Sequence, residues 1–182
     1  MKRTITLIIF LFSYLFVSAQ TTPGEYTIKN LDINTKYSDF GAAFYGNDRV
    51  VFASPTDEVK VVRKLWKENG QPFLDLYTGL ITDDRQVIDK KQLPGEVNTK
   101  FHEGGVVFSK DLNKVYFTAN NYFQKEFLTD SSGINTLQIF MAHKDVNGKW
   151  MEKVKLPFYD QQFSYGHPAL HYAHTKLSLV SD

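Results

Sequence analysis

A chain of 182 residues, with 21 lysines and arginines against 20 aspartates and glutamates and 15% aromatic residues, is long enough for one ordinary domain and too short for a large multidomain enzyme. The charge balance excludes a strongly basic nucleic-acid binder, because no net positive field exists to neutralise phosphates. The lack of any cysteine excludes a disulfide framework, a thiolate metal site and a thiol nucleophile, while 42% hydrophobic residues supply material for a core and exclude a disordered tail.

The first nineteen residues have the layout of a secretory signal peptide. Lys2 and Arg3 give a positive start, an apolar stretch of 13 residues runs from Ile5 to Val17, and Val17-Ser18-Ala19 has the character of a cleavage site. The stretch is short of the ~20 residues a helix needs to cross a bilayer. The mature chain is expected to start at Gln20, with 19 basic and 20 acidic residues, to be exported to the periplasm or an outer-membrane-associated position, and to have no membrane span. Without cysteine it has no thiol to lipidate.

Residues 20–36 read as a lead-in, and beyond them the chain repeats itself. Gly41–Phe44, a polar turn and Val50–Ser54 are answered by Gly105–Phe108, a polar turn and Val115–Ala119, then by His167–Leu170, a turn and Leu177–Ser181. Phe44 to Phe108 is 64 positions, Phe108 to Leu170 is 62, and the separate pair Leu74–Tyr77 and Leu137–Phe140 is offset by 63. Shared offsets in separate elements argue for duplication. The β-branched and aromatic runs bounded by Gly, Asn and Asp read as strands. Leu74–Tyr77 and Leu137–Met141 are third strands; Gln86–Leu93 and Trp150–Leu156 are fourth strands. Asp145–Gly148 is a strong hairpin turn, since Asn and Gly tolerate positive φ, and Thr82–Arg85 takes the same place in the first unit. Helical periodicity is weak and confined to Asp57–Lys67, with Val59, Val62 and Trp66 on one face, too little to predict a helical turn there.

Four short antiparallel strands per repeat is the plan of a β-propeller blade. The expected fold is therefore all-β, a partial propeller of about 2.6 blades, at about 37–93, 101–158 and an incomplete 163–182. A WD-type blade takes ~40–45 residues, so these repeats carry an excess of about 20. The excess falls between second and third strands, in Pro55–Phe73 and Asn120–Thr136, and insertions at one repeat position map to one face, often the binding face.

Glu103–Tyr122 (EGGVVFSKDLNKVYFTANNY) resembles the TolB-type, WD-like (PD40-type) propeller repeat. The ordered set Tyr37–Gly41, Gln71–Tyr77, Asn98–Gly104 and Ser164–Leu170 is similar to the periplasmic propeller of OmpA-family envelope proteins of Bacteroidetes-type bacteria. The resemblance covers about residues 30–182. It implies a non-enzymatic scaffold, in a family whose members carry further blades and a peptidoglycan-gripping OmpA-like domain, and some of which serve gliding or secretion machinery. The sequence departs from that pattern in having no helical-repeat region before the first blade, in Leu112 where glycine commonly follows the turn aspartate, and in reaching Asp182 inside the third blade. Closed propellers use ~4–8 blades, so the expectation is a fragment of a longer protein, or a chain that self-associates through unpaired blades.

His167, His171 and His174 have spacings that mimic a zinc cluster, but they lie around a turn where side chains diverge, so no metal is expected. Asp83-Asp84 and Asp111 with Asn113 lack the spacing of a calcium loop and read as turn formers. His102 and Glu103 precede a strand beside two glycines, as a functional pair or as a blade-to-blade contact. No nucleophile elbow, phosphate-binding glycine loop or His-Glu-x-x-His motif occurs, and Ser132-Gly133 has the wrong flanks. No catalytic residue and no cofactor are expected. The candidate binding residues are Arg63, Lys64 and Trp66 in the first insertion and Asn120, Asn121 and Tyr122 in the second, a polar-aromatic rim suited to a glycan or a protein partner. The expected function is a non-catalytic envelope interaction scaffold with envelope proteins or cell-wall glycan as partners. The alternatives are the propeller cap of a prolyl-oligopeptidase-like hydrolase and a self-contained glycan-binding module.

Overall fold

The computed structural model describes residues 24–56, 65–173 and 175–182, and among them every regular element is a β-strand. The chain divides into residues 1–30, of which 24–30 have no regular structure, and residues 31–182, which hold all the sheets. Strands β1 (Phe40–Tyr45), β2 (Arg49–Pro55), β3 (Leu74–Ile81) and β4 (Val87–Gln92) pair antiparallel in chain order as one sheet. A second sheet repeats the plan with β5 (Glu103–Phe108), β6 (Lys114–Asn120), β9 (Leu137–Lys144) and β10 (Trp150–Lys155). A small hairpin, β7 (Tyr122–Phe123) and β8 (Glu126–Phe127), lies between β6 and β9, and β11 (Tyr165–Leu170) pairs with β12 (Leu177–Ser181). None of these sheets closes on itself.

The strands form where β-branched and aromatic residues run between turn formers. Between β9 and β10, the Asp145 carboxylate accepts the N–H groups of Asn147 and Lys149, and Gly148 takes a φ of 77°. In the first sheet the matching turn, without a glycine, places Arg85 at a φ of 61°. Leu112 likewise adopts a φ of 56°. The weak helical pattern of 57–67 falls mostly on residues 57–64, outside the described residues. Leu65 forms a bridge with Pro72, and Lys67–Asn69 make a turn.

The two-residue period of β2 sorts its side chains onto two cores. Val51 and Ala53 face the second sheet and join Val106, Phe108, Val115, Phe117, Phe140 and Trp150 in one cluster. Val50 and Phe52 point the other way, to Tyr77, Val87 and the lead-in residues Leu31 and Ile33. Fully burying each large aromatic contributes about 1.5–3 kcal/mol. The connection between the sheets is pinned to β10, where Trp150 donates its N–H to the Pro94 carbonyl at 2.9 Å and accepts that of Glu96 at 2.7 Å.

The repeats share fine structure as well as strand order. The first strand of each unit has a bulge at one place, between Phe40 and Ala43, Gly104 and Val106, and Gly166 and Ala169. Within or beside each bulge a residue takes a left-handed φ: Gly41 at 69°, Gly105 at 51° and His167 at 53°. The approach is also tight here, since a Cβ on Gly41 would lie 3.2 Å from the Gly105 nitrogen. Before each of the first two bulges, a threonine clasps an acid four residues on. Asp39 Oδ2 accepts the N–H and hydroxyl of Thr35 at 2.7 and 2.9 Å, and Glu103 Oε1 accepts the Thr99 hydroxyl at 2.6 Å. In each fourth strand a lysine lies over a third-strand ring: Lys90 Nζ is 4.4 Å from the Tyr77 centroid and Lys153 Nζ 4.0 Å from that of Phe140.

Candidate functional site

Both insertions and the starts of three first strands wall a cavity of about 840 Å³. The first insertion contributes Trp66, Glu68 and Phe73, and the second contributes Phe127, Gly133, Ile134 and Asn135. Phe40 comes from β1, Glu103, Gly104 and Gly105 from β5 and His167 from β11, with Phe101 and His102 immediately before β5. One wall is a run of rings. Phe73 lies 4.6 Å from the His102 ring and 5.8 Å from Phe101, Phe101 lies 4.6 Å from Phe127, and Trp66 meets His102 edge-on at 5.0 Å.

The lining around His102 is also held by amides. Asn120 and His102 exchange backbone and side-chain bonds, the Asn120 N–H donating to the His102 carbonyl and the His102 N–H to Asn120 Oδ1, both at 3.0 Å. Asn135 Oδ1 accepts from Asn120 Nδ2 at 2.8 Å and from the Asn121 N–H at 3.1 Å, while its Nδ2 donates to the carbonyls of Asn121 and Leu128. One side chain thus closes the second insertion back onto β6, so the wall is preorganised.

Two titratable groups stand in this wall. His102 Nδ1 accepts the Leu74 N–H at 3.3 Å, which leaves the ring proton on Nε2, and burial pushes the imidazole below its ordinary value. Nε2 is buried and has no partner among the described residues. Glu103 is 1% exposed. Burial, opposed by the Thr99 hydrogen bonds and the charge of Lys153, raises its carboxyl to about 8. Its Oε2 also lacks a partner among the described residues. Lys153 is lowered to about 8 by burial, and its Nζ donates to the Tyr122 carbonyl at 3.1 Å.

Of the residues expected from sequence to bind, the structure brings Trp66 and Asn120 to the cavity. Arg63 and Lys64 lie outside the described residues. Asn121 is buried, its Oδ1 accepting the Tyr159 hydroxyl at 3.0 Å, and Tyr122 packs against Phe101 with Lys100 Nζ 4.9 Å from its ring. Neither is part of the cavity wall. His102 and Glu103 are the pair that the sequence left open between a functional and a structural role; both line the cavity. Phe73, Phe127 and Asn135 were not singled out in the sequence. The signal that finds them is their place inside or at the edge of the two insertions. Asp83-Asp84 and Asp111 with Asn113 lie in exposed turns, where the Ser109 hydroxyl holds the Asp111 carboxyl below its ordinary value. Among the described residues no three His, Asp or Glu side chains gather as a metal-holding group; His174 lies outside them.

Compared with protein-family models, with curated proteins and with solved structures, the chain matches none.

Proposed function

We propose that the chain is a partial β-propeller of the TolB-like, OmpA-family envelope type, exported from the cell, which acts as a non-catalytic scaffold and receives a partner on its insertion face. One observation carries the reading: two insertions from equivalent repeat positions, 65 residues apart at their starts (Pro55 and Asn120), meet around a single ring-lined cavity. Insertions at one repeat position of a blade array gather on the face that binds. Strand order, bulge and threonine clasp all recur at the repeat offset, which supports blades set side by side around an axis. The wall chemistry favours recognition over catalysis. Glu103 keeps its proton up to about 8, and His102 has its Nδ1 lone pair engaged by a backbone N–H, so neither is poised as a base at neutral pH. The signal-peptide layout of residues 1–19 supports the envelope location.

The test uses the full chain expressed with its own leader in an envelope-containing host, with proteins crosslinked and recovered on it. Trp66→Ala should lower recovery of the specific partner about tenfold, the effect of removing an aromatic anchor. Val146→Ala, at a fully exposed hairpin tip, should leave it unchanged. Equal recovery with Trp66→Ala removes the insertion face from the function.

A further inference from the structure

The two sheets differ at one position beside the cavity. In the first sheet Ser54 joins acid to lysine: its hydroxyl donates to Asp39 Oδ1 at 2.5 Å and accepts from Lys90 Nζ at 2.8 Å. The equivalent of Ser54 in the second sheet is Ala119, the cross-strand neighbour of Glu103. Glu103 reaches one methylene further than Asp39, yet its buried Oε2 has no partner among the described residues. Lys153 turns instead to the Tyr122 carbonyl. Ala119 and Glu103 both line the cavity. The hydroxyl that the first repeat takes from its own chain is therefore missing in the second, at a place the cavity reaches.

Building on the recognition role proposed above for the insertion face, we infer that the cavity takes a polyhydroxylated ligand of the pyranose-sugar class, one hydroxyl of which enters beside Ala119 and serves Glu103 as Ser54 serves Asp39. A buried polar atom without a partner costs about as much as a lost hydrogen bond, so a ligand that supplies one is favoured there. His102 Nε2–H is a second unpartnered donor in the same wall, and a sugar presents several oxygens. The rings of Trp66, Phe73 and Phe101 offer apolar faces to the C–H side of a pyranose. The groups that act on the Glu103 carboxyl are Thr99 before its own strand, Lys153 on β10 and Asp75 on β3. With its proton retained, the carboxyl gives a cationic side chain no charge to pair with, whereas a hydroxyl both donates and accepts.

The full mature chain is titrated with cellotetraose, maltotetraose, mannotetraose and tetra-N-acetylchitotetraose, with an oligolysine peptide alongside, and read by tryptophan fluorescence and calorimetry. At least one sugar is expected to bind in the millimolar range or tighter. Ala119→Ser, which places the protein's own hydroxyl in the gap, should raise the melting temperature and weaken that sugar about tenfold or more. Unchanged sugar affinity in a folded Ala119→Ser variant overturns the inference, as does failure of all four sugars or binding of oligolysine alone. If the sugars fail while partner recovery still depends on Trp66, the insertion-face scaffold stands and the hydroxyl site falls. If both fail, both readings go.

Discussion

Asp39 and Glu103 hold the same repeat position, 64 residues apart, but only Glu103 is sealed from water with one oxygen unpartnered. Its burial makes stability depend on pH with a definite sign. The carboxyl moves from an ordinary 4.5 in the unfolded chain to about 8 in the fold. Between those values the unfolded state binds fewer protons, so stability falls as pH climbs. Lys153 acts in the opposite sense: burial lowers it from 10.5 to about 8. Above 8 the unfolded state binds more protons, and stability recovers. Thermal unfolding followed from pH 5 to 10 should therefore show a minimum near 8. Glu103→Gln, neutral at every pH, should melt close to the parent at pH 5 and above it at pH 8; parallel profiles for the two proteins would show that Glu103 does not carry the effect. The sequence showed Glu103 as one half of a candidate pair. It did not show the burial, because burial depends on Ala119 and Thr99 folding around the carboxyl.

At the scale of elements, the alternation of Val50-Val51-Phe52-Ala53 and the Asp145–Gly148 turn made the strands and hairpins legible, since both signals are local. The β7–β8 hairpin was not legible. It turns through Gln124 and Lys125 at φ values of 51° and 69°, where a sequence reader looks for Asn or Gly. Asn135, which ties that insertion to β6, gives no periodic signal at all. The connection between the sheets hides a similar requirement. Gly95 has a φ of 110°, and a Cβ there would lie 2.1 Å from the Trp150 carbonyl oxygen. Gly95→Ala must both strain the backbone and push the connection off β10, so it should destabilise by about 3 kcal/mol. A lowered denaturant midpoint at unchanged slope would register this. An unmoved midpoint would mean that the Pro94–Glu96 pairing with Trp150 contributes little.

For the whole molecule, the offsets of 62–64 residues pointed to duplication, and the β-branched and aromatic runs between turn formers to the all-β plan. How the sheets sit against one another is set by contacts such as Gly41 against Gly105 and the His167 N–H donating to Thr118 Oγ1 at 3.0 Å. No short sequence window encodes such contacts. They place the first strands of successive units close to their neighbours, which is what the proposed propeller needs. A crystal structure of the mature chain tests this most directly. In the proposed propeller, the rotation carrying β1–β2 onto β5–β6 also carries β5–β6 onto β11–β12, with β1, β5 and β11 nearest the common axis. Two unrelated rotations, or first strands splayed away from one another, would contradict it.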